Sequence, residues 1–216
     1  MKSFLIIGMG TFGHHLCREL SKQRCEVMVV DILPEAVEDV LNIVVSAKVG
    51  DCTNEEVLRS FGVDEFDTCF VCVSSDFKNS LQITSLLREL NAKRILCKAN
   101  DDIHAKFLLR NGADQVIYPE LETAVSLAIS ESDDTVFDCI PLTGDYSIYE
   151  VSVPERWCGK TMRQLNIRTK YNLDILALKT GDVLAPLPSP DHAFQEGEHV
   201  MVLGHVEDLR KLEKLY

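Results

Sequence analysis

No stretch of this chain approaches the ~18 consecutive apolar residues that a membrane-spanning helix requires. The apolar run in the opening MKSFLIIGMG is too short for a signal-peptide core and reads as a first strand. A cytoplasmic location, without direct membrane insertion, is the expectation. An excess of positive charge is lacking too: 22 Lys and Arg stand against 34 Asp and Glu, a formal net charge of −12. Acidic residues predominate on both sides of residue 134, so the counterion release that drives nucleic-acid binding is missing. Direct adsorption to an anionic bilayer is disfavoured for the same reason. The histidines show no metal-ligand spacing, and no Tyr is followed four residues later by Lys, which removes the dyad of short-chain dehydrogenases.

Cysteine, in contrast, is not scarce. The eight residues at 17, 25, 52, 69, 72, 97, 139 and 158 fall mostly in apolar, strand-like runs, as reduced buried thiols do. Cys69-Phe-Val-Cys72 matches C-x-x-C in form. In a strand, residues three apart point to opposite faces, so this pair is not expected to share a metal. With 216 residues, 46% hydrophobic and 26% charged, the chain is long enough and ordinary enough to bury a core without staples.

Strand-length apolar runs alternate with helical patterns as far as about residue 130. Expected strands are Ser3–Gly8, Glu26–Val30, Ile43–Val49, Thr68–Val73, Arg94–Lys98 and Gln115–Ile117. Between and after them come helical segments over 11–22, 34–42, 53–61, 80–90, 101–111 and 119–130, the third opened by the capping box Thr53-Asn-Glu-Glu56. Strict alternation of this kind predicts an α/β fold, a Rossmann-like doubly wound parallel sheet over residues 1–134. The polar stretch Glu131-Ser-Asp-Asp134 reads as a linker to a small α+β module over 135–216. Strands are expected there at Ser147–Val153, Asp174–Lys179, Val183–Leu184 and Glu198–Gly204, with a helical turn at 160–166 and a closing helix from Val206.

Gly8-Met9-Gly10-Thr11-Phe12-Gly13 is G-x-G-x-x-G, set directly after a strand and opening a helix. In that context Gly8 permits the tight turn, Gly10 lets a pyrophosphate approach the backbone, and Gly13 lets helix and strand pack closely. Phosphates would rest on the helix N-terminus, where free N–H groups and the dipole favour anions. Asp31 ends the second strand 21 residues after Gly10, where a carboxylate bonds ribose hydroxyls and repels a 2′-phosphate, favouring NAD(H) or an adenine nucleotide over NADP(H). Other candidates follow later strands. Gly50-Asp51-Cys52-Thr53 either meets adenine or is a capping turn. Ser74 follows the fourth strand. Lys98 either neutralises phosphate or is simply exposed, and Glu120 either complements a helix dipole or binds a cation carried with the phosphates. His14, His15 and His104 are expected on solvated helix faces. A nucleotide site without an acid–base pair fits a sensor better than its alternative, an NAD-dependent oxidoreductase.

The glycine motif, Asp31, Gly50-Asp51-x-Thr53, Lys98-Ala99-Asn100, Gly112-Ala113-Asp114 and Tyr118-Pro119-Glu120 together resemble the RCK (regulator of conductance of potassium) domain. The resemblance extends to the C-terminal module through Leu165-Asn166-Ile167-Arg168 and Val202-Leu203-Gly204, and it is similar to the single-repeat regulatory subunits of Ktr/Trk-type potassium uptake systems, the TrkA family. It implies a non-enzymatic gating subunit whose dimers assemble into an octameric ring beneath a membrane-embedded potassium channel or transporter subunit. Exposed apolar faces, expected at Phe107-Leu108-Leu109 and Leu86-Leu87, would serve that assembly. The resemblance also implies a nucleotide site made of Gly8, Met9, Gly10, Thr11, Phe12, Gly13, Asp31, Ile32, Asp51, Cys52, Thr53, Val73, Ser74, Lys98 and Glu120. Glu120 would hold a divalent or sodium cation. ATP-responsive members commonly carry arginine in place of Thr11, so NAD(H) or ADP is expected ahead of ATP. Some relatives bind cyclic di-AMP in the C-terminal module, where Arg168, Tyr171 and Asn172 lie.

Overall fold

The computed structural model describes residues 1–73, 76–132 and 134–213. Its first unit, Met1–Pro119, is built on six parallel strands: β1 (Ser3–Ile7), β2 (Glu26–Asp31), β3 (Ser46–Val49), β4 (Thr68–Val71), β5 (Ile95–Lys98) and β6 (Gln115–Ile117). They lie in the order β3-β2-β1-β4-β5-β6, so the chain reverses its direction of travel across the sheet between β1 and β4. Helices α1 (Thr11–Lys22) and α2 (Pro34–Glu38) cover one face. There Cys17, Val37 and Val40 bury Ile6, Val27 and Val29. Helices α3 (Glu55–Ser60), α4 (Phe77–Glu89) and α5 (Asp102–Arg110) cover the other, where Leu58, Ile83, Leu87 and Leu108 bury Leu5, Ile7, Val71 and Ile95. The sheet is doubly wound, and its inner strands β1, β2, β4 and β5 read as apolar runs because they are covered on both faces, while the edge strands β3 and β6 are partly exposed. Cys69 and Cys72 belong to the cores on opposite faces, as strand geometry requires.

Local differences from the sequence reading have identifiable causes. α2 ends at Glu38 because i→i+3 bonds follow it, Val40 N–H to Val37 O and Leu41 N–H to Glu38 O. Thr53 does not cap α3. Its N–H and hydroxyl both donate to Asp51 Oδ1, and Asn54 caps the helix by accepting Glu56 N–H at 2.9 Å. The Gly112-Ala113-Asp114 motif is a clasp between elements. Arg88 of α4 donates twice to Gly112 O, and Asp114 accepts Ile95 N–H at 2.7 Å while pairing with Arg88. Gly112 sits at φ +108°, and a side chain there would strike the Arg88 stem at 2.9 Å.

The second unit, Glu120–Tyr216, takes most of helix α6 (Pro119–Ser132). The contacts therefore divide the chain at Pro119/Glu120, ahead of the boundary expected at 134/135. The reason is that Ser126 Oγ of α6 donates to Cys139 O and Ile129 packs on the second core. Glu131-Ser132 is the end of that helix rather than a linker. Five antiparallel strands follow: β7 (Val136–Thr143), β8 (Tyr146–Ser152), β9 (Asp174–Thr180), β10 (Val183–Pro186) and β11 (His199–His205), in the order β10-β9-β11-β8-β7. Trp157, Tyr149 and Phe194 fill the core, closed by Met162 and Leu165 of helix α7 (Met162–Leu165), by Ile167 and Tyr171 of helix α8 (Ile167–Tyr171) and by Leu209 and Leu212 of helix α9 (Val206–Glu213). Strand β7 escaped the sequence reading. Its two register shifts, between Val136/Asp138 and Pro141/Thr143, destroy the period of two, and its edge position tolerates Pro141.

Candidate functional site

The reversal between β1 and β4 opens a crevice at the carboxyl ends of the strands, the ligand position of such sheets. The glycine loop lies in it, and each glycine has a distinct steric reason. Gly8 has φ +95°, and a Cβ there would meet Val73 Cγ2 at 2.8 Å and Val73 N at 2.9 Å. A Cβ on Gly13 would stand 2.1 Å from Gly8 O, so α1 approaches the β1 turn as closely as backbone permits. A Cβ on Gly10 meets no atom of the described residues within 4 Å. Gly8 and Gly13 are demanded by the protein's own packing. The freedom at Gly10 keeps the open face of the loop bare, as a pyrophosphate requires.

Gly10 is the N-cap of α1, makes no side-chain capping bond, and is followed by a first turn without acidic residues. The free N–H groups there favour an anion. Thr11 and Gly10 are exposed, Phe12 is half-buried, and Met9 is buried with its N–H donating to Asp31 Oδ2 at 2.6 Å. Asp31 Oδ1 accepts Leu33 N–H at 3.0 Å. The carboxylate thus pins the glycine loop to the end of β2, and its remaining lone pairs can accept ribose hydroxyls. Ile32 beside it is 63% exposed, an apolar surface available to a base.

The turn after β3 brings further negative charge. Asp51 is exposed, and the hydrogen bonds from the Thr53 hydroxyl and N–H hold its carboxyl below the usual range. Cys52 is buried, and its thiol is pushed up to about 12 by burial, with Asp51 and Asp31 adding to the effect. This thiol is inert as a nucleophile. The charges of Asp31 and Asp51 make this end of the crevice repel a 2′-phosphate. Lys98, half-buried at the end of β5, supplies positive charge on the far side of β4. Of the expected site residues, the first unit brings Gly8–Gly13, Asp31, Ile32, Asp51, Cys52, Thr53, Val73 and Lys98 to the carboxyl edge of one sheet. Ser74 lies outside the described residues, and Glu120 is an exposed first-turn residue of α6 that opens the second unit.

Two sequence expectations are corrected. His104 is not solvated but 1% exposed. The signal was present: with Ala105 and Leu108 it shares the apolar stripe of α5. Leu87 and Leu108 belong to the core, leaving Phe77, Ile103, Phe107 and Leu109 as the exposed apolar residues of α4 and α5. In the second unit, Tyr171 is buried in the core, and Asn172 donates to Asp208 at 2.7 Å. Only Arg168 of the three lines a cavity of about 280 Å³, together with Met162, Arg163, Asn166 and Pro190.

The TrkA-N domain family matches residues 4–119, and the TrkA-C domain family matches residues 147–216. The chain belongs to the TrkA family. It is 33% identical over 213 residues to the Ktr system potassium uptake protein C of Bacillus subtilis (strain 168), covering 99% of this chain and 96% of that protein. It is 34% identical over 212 residues to the Ktr system potassium uptake protein A of the same organism, covering 98% and 96%. Among solved structures, the GsuK channel bound to NAD superposes with a TM-score of 0.70 at 20% identity, covering 99% of this chain and 39% of that one. That likeness establishes the fold of this TrkA-family chain along nearly its whole length. Among the described residues, no helix is long and apolar enough to cross a membrane.

Proposed function

We propose that this chain is a regulatory subunit of a potassium uptake system, one that binds NAD(H) or an adenine nucleotide in the crevice and acts by changing shape rather than by turnover. The observation carrying the reading is the glycine loop with its bare Gly10, fastened to Asp31 by the Met9 N–H. Relatives matched over 96% of their length are named as Ktr potassium uptake proteins, which supports a membrane-embedded transporter subunit as the partner and a position at the inner face of the membrane. A fold neighbour holding NAD supports the ligand class. Gating requires only that the ligand favour one conformation of the assembly over another.

A dehydrogenase would need an imidazole or similar group facing the nicotinamide. His104, the histidine of the elements bordering β4 and β5, is buried and hydrogen-bonded to Ser80 instead. The finer parts of the reading are a cation at Glu120, assembly of dimers into an octameric ring through Phe77, Ile103, Phe107 and Leu109, and a cyclic dinucleotide in the cavity beside Arg163 and Arg168. Calorimetric titration of NAD⁺, NADH, ADP and ATP, with mass spectrometry of any copurifying nucleotide, tests the central claim. Absence of binding by all four, in a folded protein stripped of bound nucleotide, overturns it.

A further inference from the structure

His104 is a buried imidazole that the nucleotide reading leaves unused, and its two ring nitrogens have different partners. It stands in the first turn of α5, where its own N–H donates to Asp101 Oδ1 at 2.7 Å. Nδ1 faces the backbone N–H of Asn100 at 3.4 Å. That N–H can only donate, so Nδ1 must present a lone pair. Nε2 therefore carries the hydrogen and donates to Ser80 Oγ at 2.8 Å, and Ser80 Oγ donates in turn to Phe77 O at 2.9 Å. A single directed chain of hydrogen bonds runs from the loop after β5, through His104, to the first turn of α4. The Phe77 ring tilts against the imidazole with centroids 5.0 Å apart, and Phe107 meets Phe77 edge-on at 5.8 Å. The two segments so joined leave the carboxyl ends of β4 and β5, beside the crevice, and the same aromatic pair is exposed on the outer surface of α4 and α5.

We infer that His104 is a positioning residue of the nucleotide cleft, whose neutral Nε2–H form ties the loop that follows Lys98 and carries Asn100 to the start of α4, and whose protonation releases that tie and weakens nucleotide binding. The inference rests on the nucleotide reading above. A second ring proton would sit on Nδ1 and oppose the Asn100 N–H, donor against donor, so the Asn100 bond breaks while the Ser80 bond survives. The charged groups on the turns meeting at His104 are the N-cap Asp101 with Asp102 and Lys106 of α5, Asp76 and Lys78 at the start of α4, and Lys98 at the end of β5, while Arg88, Glu89 and Arg110 lie at the far ends of the two helices. Burial holds the imidazole below its ordinary range, and Asp101 opposes this in part. The N-terminal dipole of α5 also disfavours the cation. The tie is therefore complete above the ordinary imidazole pKa and is lost as pH falls through the lowered folded value.

Calorimetry with NAD⁺ and with ADP, from about pH 8 to about pH 5.5, compares the native chain with His104→Gln and His104→Leu. Glutamine can still donate to Ser80 and has no proton to gain. The ratio of native to His104→Gln affinity at each pH cancels the ligand's own titration. The expected result is equal affinity at the alkaline end and a native protein weaker than His104→Gln by about two- to threefold at the acidic end, short of the roughly tenfold that an unshifted imidazole would give there. His104→Leu is expected to bind more weakly throughout. If it fails to fold, the native and glutamine proteins still decide. Parallel profiles for those two, or a ¹⁵N spectrum showing the ligand-free imidazole protonated on Nδ1 alone, overturn the inference. A native protein that binds neither ligand at any pH overturns the nucleotide reading itself and this inference with it.

Discussion

Three alanine substitutions in one loop separate packing from ligand binding, because the structure gives Gly8 and Gly13 different obstacles and Gly10 none. At Gly13 the new Cβ meets Gly8 O at 2.1 Å, a backbone atom that moves only with the turn. Replacing glycine by alanine inside a helix gains about 1 kcal/mol of propensity, whereas forcing α1 off β1 costs more, so a net loss of about 1–3 kcal/mol is expected. At Gly8 the φ of +95° adds left-handed strain of about 1–2 kcal/mol to the collision with Val73, and the loss is larger. At Gly10 neither obstacle exists: φ is −69°, and no described atom lies within 4 Å. Alanine is a poorer N-cap than glycine, but it also restricts the unfolded chain, and the two effects nearly cancel to within about 0.5 kcal/mol. The added methyl nevertheless stands where a pyrophosphate would lie, so Gly10→Ala is expected to weaken nucleotide binding at least about tenfold, or 1.4 kcal/mol. Urea unfolding of ligand-free protein measures the first quantity and calorimetry the second. A Gly10→Ala protein that binds as tightly as the native one refutes the placement of phosphates on this loop. A Gly13→Ala protein of native stability refutes the steric reasoning.

Other consequences can be measured in the same way. Asp31→Ala removes the proposed ribose acceptor and frees the Met9 and Leu33 N–H groups, so NADH and ADP affinity is expected to fall by about 1–3 kcal/mol in calorimetry. Thr11→Arg places a cation at the N-terminus of α1 and raises preference for ATP over ADP by about one to two decades, measured by competitive titration of both nucleotides. Gly112→Ala strains φ +108° and strikes Arg88, lowering the urea midpoint without altering nucleotide affinity at saturation of the folded form. Glu150 is buried, which raises its carboxyl, but hydrogen bonds from Lys179 and His199 bring it below the usual range. A depressed folded-state value stabilises above the unfolded glutamate value of about 4.3 and is lost as pH falls through the folded one. Glu150→Gln is therefore less stable than the native chain near neutrality, and the two unfolding midpoints converge in acid.

The first unit was legible because parallel strands buried on both faces announce themselves as unbroken apolar runs, and because glycine and aspartate at fixed spacing have mechanical meanings. α1 and β6 lie where the pattern sets them, from Thr11 to Lys22 and from Gln115 to Ile117. What stayed hidden depends on partners distant in sequence. β7 breaks its own period twice, and only its neighbour β8 reveals why. α6 reads as the last helix of the first unit until Ile129 and Ser126 are seen to pack on the second. Thr53 looks like a cap because nothing in the sequence says that Asp51 takes both its donors.

His104 is the sharpest instance. Its charged neighbours Asp101, Asp102 and Lys106 suggest solvent, yet the helical period places it with Ala105 and Leu108 against the core. A polar ring in that position is tolerated only if both nitrogens are satisfied, and Asn100 and Ser80 satisfy them in one tautomer alone. A merely space-filling residue there would be better as leucine, which needs no partners. The demand for two oriented hydrogen bonds makes the site costly to build and sensitive to one proton, and it lies on the elements that border the nucleotide crevice. Where local pattern and local composition disagree, as they do at this residue, the disagreement itself marks a position whose chemistry repays a test.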